Sequence, residues 1–147
     1  MPEELAALEA RIDEWLAAEL AENPALEAVE REEGDVLRWF VRVRGEEKDV
    51  WTAWWTLGQR TLGFETFLMP APEENPAAFY EHLLRRNRKL TGLQLEIGEE
   101  EAIFLRGSLP VAAVTDAELD RILGSMWAAV ELIFQPALRI GFASRFT

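Results

Sequence analysis

Residues 35–57 read DVLRWFVRVRGEEKDVWTAWWTL, and the alternation in this stretch decides the fold. In the first half Leu37, Trp39, Val41 and Val43 fall on one side, and Arg38, Phe40, Arg42 and Arg44 on the other. A two-residue period of this kind is the signature of a half-buried strand. The second half repeats it, with Trp51, Ala53, Trp55 and Leu57 facing one way and Thr52, Trp54 and Thr56 the other. Three of the chain's six tryptophans lie within residues 50–57, yet alternation divides them: Trp51 and Trp55 go to the core, and Trp54 faces outward. The core faces are odd-numbered on both strands, so antiparallel pairing must join residues whose numbers sum to an even value. A connection from Gly45 to Asp49 sets Phe40 opposite Trp54 and Arg42 opposite Thr52; in the neighbouring register the two aromatics meet diagonally.

Working outward, Gly58-Gln59-Arg60 turns the chain into TLGFETFLMP, where Leu62, Phe64, Thr66 and Leu68 alternate with Gly63, Glu65, Phe67 and Met69. The three strands form an antiparallel meander. Prolines 70, 72 and 76 end it, and Asn75-Pro76 has the form of a helix N-cap followed by proline at the first helical position. The helix runs to about Leu90 and ends in the basic cluster Arg85, Arg86, Arg88 and Lys89, which suits a helix C-terminus. GLQLEIG and EAIFLRGS then form a hairpin through Gly98-Glu99-Glu100, with Leu93, Leu95, Ile97, Ile103 and Leu105 expected inside and Gln94, Glu96, Phe104 and Arg106 outside. Thr115-Asp116-Ala117-Glu118 has capping-box spacing and starts a helix with a core stripe from Leu119 to Ile133; Trp127, Leu132 and Phe134 make its second half apolar nearly all round. Pro136 is expected to end or kink it. Before the strands, PEELAALEARIDEWLAAELAE places Leu5, Leu8, Ile12, Trp15 and Leu16 at helical spacing, with Glu3, Glu9, Asp13 and Glu19 on the other side and Asn23-Pro24 as a stop.

The predicted architecture is therefore α+β, an antiparallel sheet with helices in the order α-β-β-β-α-β-β-α, in one domain over residues 1–147. A chain of 147 residues is of ordinary single-domain size. Its net charge of -12 repels nucleic acid phosphates and anionic membranes at long range, so neither is expected as a partner. No segment approaches the roughly 20 apolar residues of a membrane helix, and the acidic start lacks a signal peptide's basic region and apolar run. A cytoplasmic location is the expectation.

The residue inventory gives little support to catalysis. The chain has no cysteine, which excludes disulfides, thiol nucleophiles and cysteine metal sites. His82 is the only histidine, so HExxH and multi-histidine sites are impossible. None of the serines occupies a GxSxG elbow, and phosphate-cradling glycine patterns are absent. Glu99-Glu100-Glu101 lacks the alternating ligands of a calcium loop and reads as a solvated turn. The expectation is no enzyme, no catalytic residue, no cofactor and no metal. RRNRK is better explained by helix capping, a solvated face or pairing with the acidic first helix than by nucleic acid.

The outer face of the sheet holds the functional signal. Phe40, Trp54, Phe67 and Met69 collect there beside Arg38 and Arg42, joined by Phe104 if the second hairpin completes the same sheet. Large apolar residues with a polar margin mark a protein-contact surface unless a helix or the C-terminal tail covers them. An alternative from another class is a small-ligand sensor whose pocket between sheet and helices is lined by Trp51, Trp55, Phe64 and Trp127.

The segment from Leu83 to Phe142 carries a resemblance. LLRRNRKLTG, LRGSLPVAAVTDAELDRIL, LGSMWAAVE and the later IGFAS, with the element order, resemble the YbjN family of bacterial sensory transduction regulators. About two-thirds of the chain shows the resemblance directly; the first helix and meander agree in pattern. The resemblance implies a fold like that of type III secretion chaperones, small acidic proteins that are often dimeric and bind partner polypeptides without chemistry. It carries over no catalytic residue. The reading is a protein-binding module of chaperone-like or regulatory kind, a homodimer whose partner is a polypeptide.

Overall fold

The protein was analysed as a computed structural model, and the structure describes residues 3–146. The elements are α1 (Glu3–Glu22), β1 (Leu26–Glu32), β2 (Leu37–Arg44), β3 (Val50–Leu57), β4 (Thr61–Met69), α2 (Pro76–Asn87), β5 (Gln94–Ile97), β6 (Ile103–Pro110) and α3 (Asp116–Gly141). The strands form one antiparallel sheet in the order β1-β2-β3-β4-β6-β5. The second hairpin thus completes the sheet begun by the meander, with β6 against β4.

The β2–β3 register is the one that the even-sum rule allows with a Gly45–Asp49 connection. Phe40 pairs with Trp54, and Arg42 with Thr52. The inward set Trp39, Val41, Val43, Trp51, Ala53, Trp55 and Leu57 is buried throughout. It packs with Leu5, Leu8, Ile12 and Leu16 of α1 and with the Leu119–Ala137 stripe of α3 in one core. Each fully buried leucine or isoleucine contributes roughly 1.5–3 kcal/mol, so this face is the main source of stability.

Four expectations need correction. The strand β1 is not in the predicted order, because a bulge between Leu26 and Ala28 breaks its alternation. Its inward apolar residues Leu26 and Val29 are consequently three apart, a spacing that does not read as a strand. Met69, expected outside, is only 1% exposed. A bulge between Phe67 and Met69 makes Leu68 an extra residue, and both Leu68 and Met69 turn into the core. Ile97, expected inside, is 54% exposed: it ends the four-residue edge strand β5 and borders an open groove beside α2. Of the two outcomes expected at Pro136, an end or a kink, the end does not occur: α3 continues to Gly141 with Pro136 inside it.

The caps also show which side chains the local sequence places and which the tertiary structure recruits. Thr115 Oγ1 accepts the Glu118 N–H at 3.2 Å, as a capping box requires, but the Glu118 carboxylate instead accepts from Arg121 at 2.7 Å. Asn75 is the N-cap of α2 in the left-handed region at φ 52°, and its Nδ2 donates to the Ile140 carbonyl at 2.9 Å. That bond ties the start of α2 to the end of α3.

Candidate functional site

The strand period fixes which side chains leave the core, and the register then arranges them in rows. Glu30, Phe40, Trp54, Glu65, Arg106 and Gln94 stand across all six strands in one row. A second row contains Glu32, Arg38, Thr56, Gly63 and Ser108. On the other side of the first, Phe67 faces Phe104, their rings edge to face at 5.9 Å. Among the described residues, none of these side chains belongs to the core cluster that joins the sheet to the three helices. Phe40, Trp54 and Phe104 are half-buried, by their neighbours in the rows, and Phe67 is 38% exposed.

The C-terminal segment does not lie across this face. Its last turn, Ala143–Phe146, packs beside the linker before α2, where Arg145 bonds Glu73 at 2.6–2.7 Å, and Arg139 sits over the Phe146 ring at 4.9 Å. The apolar second half of α3 is explained in part by the β2–β3 connection. Glu131 accepts the N–H groups of Glu46 and Glu47, both at 2.8 Å, and Trp127 Nε1 donates to the Arg44 carbonyl at 3.1 Å. Leu132 remains 48% exposed.

Of the six residues proposed from sequence, Phe40, Trp54, Phe67, Arg38 and Arg42 reach the outer face. Met69 does not, for the reason given above. Arg42 and Arg44 share one carboxylate, Glu27, at 2.9 and 2.7 Å; the two guanidinium groups, Arg44 foremost, hold the Glu27 carboxyl below its usual range. Arg38 differs: Nε donates to Thr56 Oγ1 at 3.2 Å, and among the described residues no carboxylate pairs with it. Arg106 pairs with Glu65 and, at 3.7 Å, with Glu96. Between Arg38, Trp54 and Arg106 lies a shallow depression of about 410 Å³. Its floor is Gly63, which sequence reasoning placed on this face but did not identify as a gap.

Lys48 is a second residue that sequence reasoning did not single out. Its ammonium donates to the carbonyls of Phe67 and Leu68, at 3.0 and 2.9 Å, and lies over the Phe67 and Phe134 rings at 5.3 and 5.2 Å. It therefore closes the β4 bulge whose carbonyls leave the regular ladder. Burial pushes its pKa down to about 8. No local pattern in EEKD announces this, because both partners lie on other elements.

The four residues expected to line an aromatic pocket between sheet and helices do not share a described cleft: Phe64 borders the outer depression and Trp127 a separate one. Trp51, Trp55 and Phe64 are buried, and Trp15 stacks on Trp55 with centroids 6.0 Å apart. Trp127 borders a separate cleft of about 260 Å³ with Glu19, Asn23 and Asp120. His82 is half-buried on α2, and desolvation, with the nearby Arg86 charge second, lowers its pKa. Its charged neighbour is thus a cation rather than the carboxylate an acid–base pair needs. Among the described residues no group of three or more histidine, cysteine or acidic side chains is placed to hold a metal ion. No described helix is long and apolar enough to cross a membrane.

Residues 10–138 match the model of the family YbjN, described as "Putative bacterial sensory transduction regulator". The chain is 34% identical over 109 residues to the uncharacterized protein ML2442 of Mycobacterium leprae, covering 74% of this chain and 59% of that protein. It is also 34% identical over 105 residues to the uncharacterized protein Rv0487 of Mycobacterium tuberculosis, covering 71% of this chain and 57% of that one. The chain thus spans less than two-thirds of the length of these curated relatives. Among solved structures, a chain of the heterodimeric complex ExoU-SpcU from the type III secretion system of Pseudomonas aeruginosa aligns with a TM-score of 0.47 at 18% identity, over 85% of this chain and 98% of that one.

Proposed function

The chain belongs to the YbjN family, and we propose that it is a non-enzymatic module that binds a partner polypeptide through the outer face of its sheet and acts in the cytoplasm as a homodimer. One observation carries the reading: the aromatic rows of Phe40, Trp54, Phe67 and Phe104 stand on the side of the sheet opposite the helices. Aromatic side chains only partly covered by their own chain gain by being buried against a partner. A surface for self-contact is available elsewhere, where Leu84 of α2 is 70% exposed and Ile97 of β5 is 54% exposed beside one apolar groove.

Binding of a panel of unstructured peptides to the purified protein, with mass in solution measured by light scattering, tests both parts. Trp54→Ala and Phe67→Ala are expected to remain folded by circular dichroism and to lose peptide binding. Leu84→Glu with Ile97→Glu is expected to convert a dimer to a monomer. Peptide binding that is unchanged in both aromatic variants overturns the assignment of the face, and a monomeric wild-type protein overturns the dimer.

A further inference from the structure

The depression on the outer face has a charge that the rest of the sheet does not. Among the arginines of the strands, Arg31 is held by Glu9, Asp13 and Glu33, Arg42 and Arg44 by Glu27, and Arg106 by Glu65 and Glu96. Among the described residues Arg38 alone of these has no carboxylate within ion-pair distance, although Glu32 stands opposite it across the β1–β2 ladder, in a chain whose net charge is -12. Its bond to Thr56 Oγ1 fixes the guanidinium at the rim and leaves its other N–H groups for a ligand. The floor is open because Gly63 carries no side chain. A Cβ there would meet only the Thr56 carbonyl oxygen within 4 Å, at 3.9 Å, so no packing constraint forces glycine.

We infer that this depression takes an acidic side chain of an extended polypeptide, with a large apolar residue two positions away seated on Trp54. The inference rests on the polypeptide-binding reading above and names the sequence class that the face selects. The spacing follows from the rows. Arg38, Thr56 and Gly63 form one row, and Phe40, Trp54 and Glu65 the next, two residues further along the strands. Alternate residues of an extended ligand lie on one side at about 7 Å separation, which matches the step between the rows. A carboxylate over the first row meets an unpaired guanidinium, where bidentate hydrogen bonds are available. The first row ends in Glu32 on β1 and the second holds Glu30 and Glu65, the latter already paired with Arg106, so the unpaired guanidinium of Arg38 is what sets the place of the acid and hence its order relative to the apolar residue.

Three fluorescein-labelled ten-residue peptides test this, each of serine and threonine around a central Glu-Thr-Phe, Gln-Thr-Phe or Lys-Thr-Phe, with affinity read by fluorescence anisotropy. The wild-type protein is expected to bind the glutamate peptide about tenfold more tightly than the glutamine one, the scale of a single charged hydrogen bond. Rising salt should erode that ratio. Arg38→Met is expected to abolish the preference while retaining binding, and Gly63→Leu to do the same by filling the floor. Trp54→Ala should weaken all three peptides alike. Equal affinities in the wild type, or a preference that survives Arg38→Met, overturn the acidic specificity, while continued dependence on Trp54 leaves polypeptide binding standing. Failure of all three peptides to bind counts against both.

Discussion

Phe40 on β2 lies directly across the ladder from Trp54 on β3, and the adjacent pair Trp39 and Trp55 lies directly across on the opposite face. The same two strands thus present one aromatic pair to the helices and one away from them. Trp39 and Trp55 are fully buried, whereas Phe40 and Trp54 are half-buried.

The two pairs should differ in stability. Trp55→Ala leaves a core cavity and is expected to cost about 3–5 kcal/mol. Trp54→Ala loses cross-strand contact alone and is expected to cost about 1 kcal/mol or less. Urea unfolding measures both, and equal costs would show that the outer face is packed like a core.

Asp13 is more than a residue on the polar side of α1. It accepts the indole N–H of buried Trp39 at 2.8 Å while pairing with Arg31 on the edge strand β1. Asp13→Ala orphans a buried donor and removes one of the three carboxylates that hold Arg31, and should lower stability by about 1–3 kcal/mol. In Trp39→Phe, where that donor is gone, the same change should cost less. A double-mutant cycle in urea measures the difference.

Asn87 guards the sheet edge. Its Oδ1 accepts the Leu95 N–H at 2.6 Å and its Nδ2 donates to the Leu95 carbonyl at 3.2 Å, so a side-chain amide takes the place of a neighbouring strand. Asn87→Ala uncovers both groups beside exposed Ile97, and an uncovered edge recruits other chains. The expected outcome is a loss of about 1–3 kcal/mol together with a mass that rises with concentration in light scattering.

Lys48 supplies a pH dependence whose sign is fixed. Burial lowers its pKa from an ordinary 10.5 to about 8, so the unfolded chain binds more protons between these values. The group's contribution therefore disfavours folding fully below about pH 8, and this penalty is relieved as pH rises towards 10.5. Lys48→Met removes the titration, so wild type should gain on the variant over that window, by about 2 kcal/mol after allowance for partial exposure. The chain contains only two lysines, Lys48 and Lys89, so carbon-13 NMR of the lysine Cε groups follows the midpoint directly.

Much of the face assignment was legible before any tertiary structure. Trp54 goes out and Trp51 and Trp55 go in because successive strand side chains point to opposite sides, a rule that needs no partner. Parity then restricted the β2–β3 register to a few choices, and the folded sheet adopts the one with Phe40 directly opposite Trp54. The same rule failed at Met69 and at β1, where bulges add a residue and reverse or blur the alternation. Bulges belong to the pairing of two strands, so a single strand's sequence does not announce them. The site was legible as a set of outward residues but not as a depression, because Gly63 and Arg38 become neighbours only when β2, β3 and β4 are aligned.

The sequence by itself determined the α+β class, the inner and outer sides of most strands and the Thr115 cap, since each depends on residues close along the chain. Only the tertiary structure decided that Asp13 serves Trp39, that Lys48 closes the β4 bulge, and that Glu27 pairs with Arg42 and Arg44 while Arg38 bonds only the Thr56 hydroxyl. Those outcomes depend on which distant groups meet. Many acidic residues were available to each cation, and strand order and register, rather than composition, select among them.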